Sequence, residues 1–497
     1  MELKVKNLEI AAGDALVAML NYEDAHHLTI FQGDRILIRA GKNNAVAVVD
    51  ITHSNSLVPR GTIGLFEELT QNLNTKSGKK VFISIAEKPK SIDYIKKKMH
   101  GEKLNEKEMF SIISDIVNMR LTEIEITYFV AACYMNELSS REIVDLTEAM
   151  INTGETLALN KYPIMDKHCI GGVAGNRTTM IIVPIVAEAG LIMPKTSSRA
   201  ITSPAGTADT VEFLANVSFS MKGMKRIIEK NNSCFVWGGG INLAPSDDKL
   251  IHVERPMSLD PVGQLLASIL AKKKSVSATH LLVDIPLGKG AKVESKDKAL
   301  MLKKMFERIS RLLKIKTKVI ITDGSHPIGR GVGPALEARD VLYILTNNPK
   351  GSYELREKSL EMAGILLEMG GKAKSGCGKI IAEEILTSGR AYKRFSNIIR
   401  SQGGKVCDPD SIRMAKHHCN IISNLRGRVS HIDNKIISKI ARMAGAPFDK
   451  RAGIYLHKNL GEEVHRGSLL YTIYSESKQK LMYARKIADE EKAFEIK

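Results

Sequence analysis

Short runs of β-branched residues alternate with helical segments and glycine-rich joints between residues 160 and 345. The run 317–322 is β-branched almost throughout. Strands that alternate with helices are typical of α/β folds, because each crossover helix brings the next strand back parallel to the first. The pattern therefore predicts an α/β domain with parallel strands, which we place at residues 161–425.

Three amphipathic helices precede this domain, and each has a clear start signal. Asn105, Thr122 and Ser139 are each followed three residues later by Glu, which is the spacing of a capping box. Short loops between such helices predict a compact helical lobe over residues 87–160, to which residues 245–275 return.

The two ends of the chain are strand-rich. Before residue 86, turn residues separate several β-prone runs, and one helix is expected at 65–73. These runs are 28–31, 35–38, 45–51 and 80–85. We therefore expect a small β-barrel over residues 1–86. Residues 426–497 return to short strands and end in a charged helix, which predicts an α+β subdomain.

The chain carries 73 Lys and Arg against 55 Asp and Glu, a formal net charge of +18, which indicates an anionic partner. Aromatic residues are 5% of the chain and Trp237 is the single tryptophan, so little is available to stack on bases. We expect no nucleic-acid partner. Most cations, including 96–98 and 273–274, lie outside any motif, and we interpret them as solvated surface.

The longest apolar run, 180–187, is too short to span a membrane, and we expect no membrane partner. The first ten residues contain no signal-peptide core. Six cysteines are scattered without CxxC pairs, which argues against a disulfide framework or a metal site. We expect a reduced, cytoplasmic protein.

The segment 166–190 has the composition of a phosphate-binding loop. Lys167 and His168 precede Gly171-Gly172-x-x-Gly175, and Asn176 is placed to cap a following apolar helix near Thr178. A glycine loop that enters a helix presents backbone amides to an anion. A tight strand-to-helix turn without a ligand would have the same composition.

Two further segments carry weaker signals. The loop 194–210 is rich in hydroxyls and contains Arg199, whose fork suits a phosphoryl group, although it could equally be a solvated loop with Asp209 as a helix cap. Downstream, a helix starting near Pro261 makes Asp260 a natural N-cap. Asp260, Gln264, Ser268 and Lys272 share one stripe of that helix, which could line a pocket or face solvent.

These segments together resemble the thymidine and pyrimidine nucleoside phosphorylase superfamily. The matching motifs are Lys167-His168-x-x-Gly171-Gly172-Val173, Ser197-x-Arg199 through Gly206-Thr207, and Ser268-Ile269-Leu270-x-Lys272. Segments 328–338 and 388–404 are also similar. The resemblance implies the α/β fold class of that superfamily, a helical lobe beside a larger α/β lobe, here with an additional N-terminal barrel and a C-terminal α+β segment.

Within that superfamily, four departures make the chain similar to the archaeal AMP phosphorylases. The N-terminal segment is additional, and the loop 197–207 replaces a glycine-rich, histidine-containing one. Cys169 stands where the nucleoside enzymes have a phosphate-binding serine, and Val253 where they have an arginine that reads the pyrimidine. The resemblance implies phosphorolysis of AMP, CMP or UMP to the free base and ribose 1,5-bisphosphate, with inorganic phosphate as co-substrate and no cofactor.

The resemblance also implies roles for individual residues. Inorganic phosphate is assigned to Lys167, Ser197 and Thr207, with Thr178 as a further candidate. The nucleotide is assigned to Gly172, Ser198, Arg199, Ala200, Ile201, Thr202, Ser203, Thr207, Ser268, Lys272 and Lys292. Arg199 could serve either phosphate.

The leaving purine requires a proton, and Asp260 occupies the superfamily's position for the proton donor. In that role Asp260 must stay protonated near neutral pH, which requires burial or a neighbouring anion. As a helix cap it would instead be ionised. His168 is the alternative acid, since an unperturbed imidazole titrates near neutrality.

Two other enzyme classes compete with this interpretation. A pyrimidine nucleoside phosphorylase would act on unphosphorylated nucleosides. An anthranilate-type phosphoribosyltransferase would need a magnesium-binding acidic pair, whereas only Asp166 and Asp209 stand near the loops. By analogy we expect a homodimer through the helical lobe, or a larger homo-oligomer.

Overall fold

The computed structural model describes residues 1–13, 15–159, 161–200, 203–256 and 259–497. The chain divides into two compact units. The first unit comprises Met1–Thr153 and Pro245–Ser268, and the second comprises Gly154–Ala244 and Ile269–Lys497.

The strands of the described residues are numbered here in chain order. They are β1 Glu2–Asn7, β2 Val17–Asn21, β3 Arg35–Ala40, β4 Asn43–Thr52, β5 Thr62–Leu65, β6 Lys80–Ile85, β7 Met165–Cys169, β8 Met193–Ser197, β9 Ser233–Trp237, β10 His280–Leu287, β11 Lys316–Asp323, β12 Gly331–Val332, β13 His417–Ile422, β14 Gly427–Ile432, β15 Gly453–Leu456, β16 Glu463–Val464, β17 Leu469–Ser475 and β18 Phe494–Ile496.

The α-helices are numbered in the same way. They are α1 Tyr22–His27, α2 Glu67–Asn72, α3 Ser91–Met99, α4 Glu106–Val117, α5 Glu123–Met135, α6 Ser140–Asn152, α7 Thr178–Glu188, α8 Thr207–Glu212, α9 Met221–Asn231, α10 Pro245–Glu254, α11 Val262–Ser275, α12 Lys296–Leu312, α13 Pro334–Leu345, α14 Tyr353–Met369, α15 Gly378–Thr387, α16 Arg390–Ser401, α17 Asn434–Met443 and α18 Lys478–Glu490.

The first unit begins with a closed six-stranded barrel in the order β1-β5-β2-β4-β3-β6. Side chains alternate along each strand, so Ile36 and Ile38 of β3 are buried in the barrel while Arg39 is exposed. Closure pairs every strand on both sides and removes the exposed edges that an open sheet would leave. The predicted N-terminal barrel is therefore confirmed.

Two details of the barrel differ from the prediction. Residues 28–31 were expected to form a strand, and they form a turn after α1 instead. The amides of Leu28 and Ile30 bond to the carbonyl of Ala25 and are therefore unavailable to a sheet, while the Ile30 side chain still packs in the barrel core. The helix expected at 65–73 spans Glu67–Asn72, because β5 continues to Leu65.

The helical part of the first unit contains the three predicted helices. Complete capping boxes open α4, α5 and α6, formed by Asn105 with Glu108, Thr122 with Glu125, and Ser139 with Glu142. Each satisfies amides of the first turn that have no partner inside the helix. Lys98, which we interpreted as surface, is buried on α3 against Glu142.

The second unit is built on parallel strands. β11, β10 and β7 form one sheet, β8 and β9 another, and a parallel bridge from Ile164 to Ile192 connects them. The carboxyl ends of parallel strands meet at one edge, so the loops after β7 and β8 leave the sheet side by side. Helices α7, α13, α14, α15 and α16 supply the main core, which includes Met180, Val341 and Phe395.

The C-terminal part has its own core. It contains the sheets β12-β15-β17-β13 and β16-β14-β18, covered by α17 and α18. The predicted fold class, α/β with an N-terminal barrel and a C-terminal α+β segment, is confirmed, whereas the four domain boundaries stay predictions. No helix of the described residues is both long and apolar enough to cross a membrane.

Candidate functional site

β7 carries Lys167 into the start of the glycine loop. Lys167 is buried, and its Nζ donates to Thr178 Oγ1 at 2.9 Å. Thr178 is the first residue of α7, and its hydroxyl donates to Asn176 Oδ1 at 3.1 Å. The structure thus brings Lys167 and Thr178, both predicted phosphate ligands, into contact at the positive end of a helix.

Asn176 is not the helix cap that we predicted. α7 begins at Thr178, so Arg177 occupies the N-cap position, and it forms no side-chain cap. Asn176 Oδ1 accepts a hydrogen bond from the Thr178 hydroxyl instead. The Arg177 guanidinium donates to the carboxylate of Glu337 and to the carbonyl of Ala205. Burial raises the pKa of Glu337 despite the charge of Arg177. Arg177 therefore ties the start of α7 to the loop before α8.

A buried charge cluster lies beside Lys167. Asp166 Oδ1 is 3.0 Å from Lys195 Nζ, and Asp166 Oδ2 is 2.8 Å from Lys273 Nζ. Burial alone would raise the pKa of Asp166, but the two lysines outweigh it and lower that pKa. Burial lowers the pKa of Lys195 to about 7 against the attraction of Asp166. The interpretation of Lys273 as solvated surface is therefore wrong, because Asp166 compensates its burial.

His168 is partly buried next to these lysines. Burial and the charges of Lys273 and Lys195 lower the pKa of His168 well below its usual value. The imidazole is consequently neutral near pH 7. This environment argues against the alternative in which His168 is the proton donor.

Cys169 ends β7 as a neutral thiol. Burial, reinforced by the charge of Asp284, raises its pKa to about 11. Its sulfur accepts a hydrogen bond from Asn176 Nδ2 at 3.6 Å. Toward an anion, this side chain can therefore act only as a weak hydrogen-bond donor.

Gly172 and Lys292 are brought together although they are far apart in sequence. The backbone of Gly172 has φ +89°, and a Cβ there would lie 2.2 Å from Lys292 N. Glycine is required both by this left-handed conformation and by the close approach. Gly172 and Lys292, both predicted nucleotide ligands, therefore lie in one place, and Lys292 is exposed there.

The loop after β8 folds back on itself. The carboxylate of Asp209, near the start of α8, accepts hydrogen bonds from Ala200 N at 2.7 Å and Gly206 N at 2.8 Å. A Cβ on Gly206 would meet Ser198 O at 2.5 Å. Ser198 and Ser203 are exposed on this loop, and Thr207 begins α8. Ile201 and Thr202, also predicted ligands, lie outside the described residues.

Arg199 is bound within the protein. Its guanidinium lies over the Trp237 ring at 4.7 Å and donates to both carboxylate oxygens of Glu212, at 2.7 and 2.6 Å. The hydrogen bond from Arg199, helped by Lys450, lowers the pKa of Glu212 to about 2. Two nitrogens of the Arg199 guanidinium are therefore bound to a carboxylate of the protein itself.

Ser197 ends β8 with a buried hydroxyl. Its Oγ has no hydrogen-bond partner among the described residues. A buried hydroxyl without a partner is costly, and a bound anion would satisfy it. This geometry agrees with the phosphate-binding role that the resemblance implies.

The predicted helix stripe is split between the units. α11 carries Gln264 and Ser268 in the first unit and Lys272 in the second. Leu265 N donates to Pro261 O, so Pro261 occupies the N-cap position that we assigned to Asp260. Asp260 is exposed just before the helix. Val253, which replaces the pyrimidine-reading arginine, is buried on α10.

The two acidic residues predicted near the loops, Asp166 and Asp209, both have partners in the protein. Asp166 pairs with two lysines. Asp209 accepts from two backbone amides and lies 3.5 Å from Arg199 and 3.6 Å from Lys450. Among the described residues, no group of three His, Cys, Asp or Glu side chains could hold a metal ion.

Sequence reasoning missed Lys195 and Glu212 and misjudged Lys273. Lys195 lies two residues before Ser197, so strand alternation places both on one face of β8. That spacing was the one local signal available for Lys195. Glu212 and Lys273 had none, since their partners come from other segments.

Three family models match the chain. The helical bundle domain of the glycosyl transferase family matches residues 92–154, and the a/b domain of that family matches residues 161–392. The C-terminal domain of pyrimidine nucleoside phosphorylase matches residues 428–495.

Relatives match over nearly the whole chain. AMP phosphorylase from Methanocaldococcus jannaschii is 46% identical over 98% of this chain and 96% of its own length. AMP phosphorylase from Pyrococcus furiosus is 47% identical over 97% and 95%. A putative thymidine phosphorylase from Legionella pneumophila (strain Paris) is 43% identical over 97% and 93%.

Among solved structures, anthranilate phosphoribosyltransferase from Thermus thermophilus matches with a TM-score of 0.53 and 19% identity. The match covers 63% of this chain and 100% of that chain. The anthranilate phosphoribosyltransferase from Saccharomyces cerevisiae matches with a TM-score of 0.51 and 17% identity. At such identities the likeness concerns the fold alone.

Proposed function

Because the chain belongs to the AMP phosphorylase family, and is therefore a pentosyltransferase, we propose that it cleaves AMP with inorganic phosphate. The products are adenine and ribose 1,5-bisphosphate, and CMP and UMP are cleaved in the same way. The observation that carries the proposal is the contact of Lys167 with Thr178 at the start of α7. On β8, the buried Ser197 hydroxyl has no hydrogen-bond partner among the described residues.

Phosphorolysis places two anions next to one sugar. Inorganic phosphate attacks the anomeric carbon while the bond from that carbon to the base breaks, so the base leaves with the bonding electrons. The nucleotide already carries a 5′-phosphate, and two phosphates repel each other unless cations, hydroxyls and amides offset their charge. Lys167, Thr178, Ser197 and Thr207 are assigned to inorganic phosphate.

The remaining predicted ligands are assigned to the nucleotide. Gly172 and Lys292 lie together at the glycine loop, and Ser198 and Ser203 offer exposed hydroxyls on the loop after β8. Ser268 and Lys272 are carried one turn apart by α11. Arg199 joins the nucleotide or the inorganic phosphate by exchanging Glu212 for it.

We assign Asp260 as the donor of the proton that the leaving base takes up. Burial and the neighbouring lysines lower the pKa of His168 well below its usual value, which favours Asp260 over the imidazole as the proton donor. Asp260 is exposed just before α11 in this structure. The reaction uses cations and a general acid, and we expect turnover to be unaffected by dialysis against a metal chelator.

The alternative, a thymidine or pyrimidine nucleoside phosphorylase, is kept because the Legionella relative is named a putative thymidine phosphorylase. Val253 argues against it, since a buried valine cannot hydrogen-bond to a pyrimidine. The glycine-poor loop 197–207 argues in the same direction.

One assay separates the two functions. Phosphate-dependent base release is measured side by side on AMP, adenosine, CMP, UMP and thymidine. We expect release from the three monophosphates and none from the two nucleosides. Equal activity on adenosine and AMP would contradict the requirement for a 5′-phosphate.

We also propose that the chain forms a homodimer through α5. Ile124, Tyr128 and Met135 lie on one face of this helix, and Ile124 and Met135 are 70% and 80% exposed. The opposite face is buried through Phe129 and Cys133. A helix that is apolar on both faces is typical of one covered on both sides, here by a second copy.

A further inference from the structure

Four charged side chains are buried together in the second unit. Asp166 and Lys167 come from β7, Lys195 from β8 and Lys273 from α11, and all four are almost inaccessible to solvent. The cluster holds three lysines and one carboxylate. Asp166 pairs with Lys195 at 3.0 Å and with Lys273 at 2.8 Å, which compensates the burial of these charges.

The hydrogen bonds of the cluster converge on the main chain of Lys167. Asp166 Oδ1 accepts from Lys167 N at 2.7 Å, and Lys195 Nζ donates to Lys167 O at 2.7 Å. Lys195 Nζ also donates to Asp166 Oδ1 at 3.0 Å. Asp166 and Lys195 together therefore fix both polar groups of the Lys167 backbone.

The side chain of Lys167 points to a different partner. Its Nζ donates to Thr178 Oγ1 at 2.9 Å, at the start of α7. The Lys195 ammonium group donates to Asp166 and to the Lys167 carbonyl, and the side chain is 6% exposed. Lys195 is thus placed to hold Lys167, and its own ammonium group is not presented to a ligand.

We propose that Lys195 is a positioning residue for inorganic phosphate, acting through Asp166 and the Lys167 main chain to aim the Lys167 ammonium group. This inference rests on the proposed function. Lys195 also couples Lys167 to Ser197, because Lys195 and Ser197 lie on the same face of β8. One residue therefore aligns two ligands from neighbouring strands.

Lys195 acts on residues assigned to inorganic phosphate. It bonds to the main chain of Lys167 and shares a face of β8 with Ser197. Loss of Lys195 should therefore weaken the binding of inorganic phosphate much more than the binding of AMP.

The test compares Lys195→Met with Lys304→Met. Lys304 is exposed on α12 and forms no ion pair with any described residue, so it controls for the loss of one lysine. Binding of radiolabelled inorganic phosphate is measured by equilibrium dialysis, and KM values are measured for phosphate and AMP. We expect Lys195→Met to weaken phosphate binding at least tenfold, with the KM for AMP within twofold of wild type.

Lys195→Arg should restore phosphate binding to within threefold, since a guanidinium can donate to both acceptors. If Lys195→Met does not fold, the double variant Asp166→Asn with Lys195→Met removes both charges and carries the same expectation. Wild-type phosphate affinity in a folded variant without Lys195 would overturn the proposal, as would an equal rise in both KM values. If the wild-type protein binds phosphate but cleaves no nucleotide, the proposed function is wrong. The role of Lys195 in phosphate binding would still be tested by the dialysis measurement.

Discussion

Lys98 Nζ lies 2.9 Å from Glu142 Oε1, and both side chains are only 2% exposed. Glu142 also accepts hydrogen bonds from Ser139 N at 2.8 Å and from Leu104 N at 3.1 Å. Burial alone would raise the pKa of Glu142, but Lys98 and these amides outweigh it and lower that pKa. One buried pair therefore joins α3 to the first turn of α6.

We expect Lys98→Met to destabilise the protein by about 3–5 kcal/mol, because it leaves the Glu142 carboxylate buried without its cation. Urea denaturation measures the change in the free energy of unfolding. Lys96→Met on the same helix is the control, since Lys96 is exposed and pairs with Asp93 in solvent, where loss of the pair costs about 0–1 kcal/mol. Equal effects of the two substitutions would contradict the assignment.

Glu212 should make stability depend on pH. Its folded pKa of about 2 lies below the usual value of 4.5, because Arg199 and Lys450 bind the carboxylate. The stabilisation is therefore present above pH 4.5 and is lost as pH falls toward 2. We expect Glu212→Gln to lower the free energy of unfolding by about 1–2 kcal/mol at pH 7, allowing for solvent screening. The acid limb, which is the fall in stability between pH 4.5 and pH 2, should be less steep in this variant.

The control for Glu212 is Glu476→Gln. Glu476 is exposed and forms no ion pair with any described residue, so its loss should leave the acid limb unchanged. The measurement is thermal unfolding between pH 2 and pH 7. An acid limb in Glu212→Gln that is as steep as in wild type would show that the pair contributes nothing.

Gly172 and Gly171 form a matched test of the glycine loop. Both have left-handed backbones, with φ +89° and +98°, but an added Cβ meets Lys292 N only at Gly172 and nothing within 4 Å at Gly171. Gly171→Ala should cost about 1–2 kcal/mol from backbone strain alone. Gly172→Ala should cost more and raise the KM for AMP, because it displaces Lys292. Equal stability and equal KM values in the two variants would be inconsistent with this packing.

Asp260→Asn tests the proton donor. An amide cannot donate a proton to the leaving base, so kcat for AMP should fall by about 100-fold or more. The KM for inorganic phosphate should stay near the wild-type value, since the predicted phosphate ligands are other residues. Full purine turnover by the variant would remove the general-acid role from Asp260.

The α5 face predicts the oligomeric state. Ile124→Glu combined with Tyr128→Glu should convert the dimer to a monomer, because two carboxylates would be buried on each side of the interface. Ile380→Glu is the control, since Ile380 is 68% exposed on α15, outside the proposed interface. Light scattering coupled to size-exclusion chromatography gives the mass. A dimer that persists in the double variant would place the interface elsewhere.

Local patterns made much of the fold predictable. The capping boxes at Asn105, Thr122 and Ser139 were visible because their partners stand three residues apart, and the bonds formed as expected. β11 was also predictable from neighbouring residues, because its run of β-branched side chains favours a strand. The strand predicted at 28–31 does not form, because the amides of Leu28 and Ile30 bond to the carbonyl of Ala25 and cannot also join a sheet.

The sequence by itself determined the family, because the motifs that carry the resemblance are local patterns of neighbouring residues. Only the tertiary structure decided which lysines bind anions inside the protein. Lys98 and Lys273 were interpreted as surface residues and Lys195 was not singled out, yet each is buried against a carboxylate from another element. Burial of a charged lysine is costly unless a partner compensates it, and the position of these carboxylates depends on the folding of distant segments.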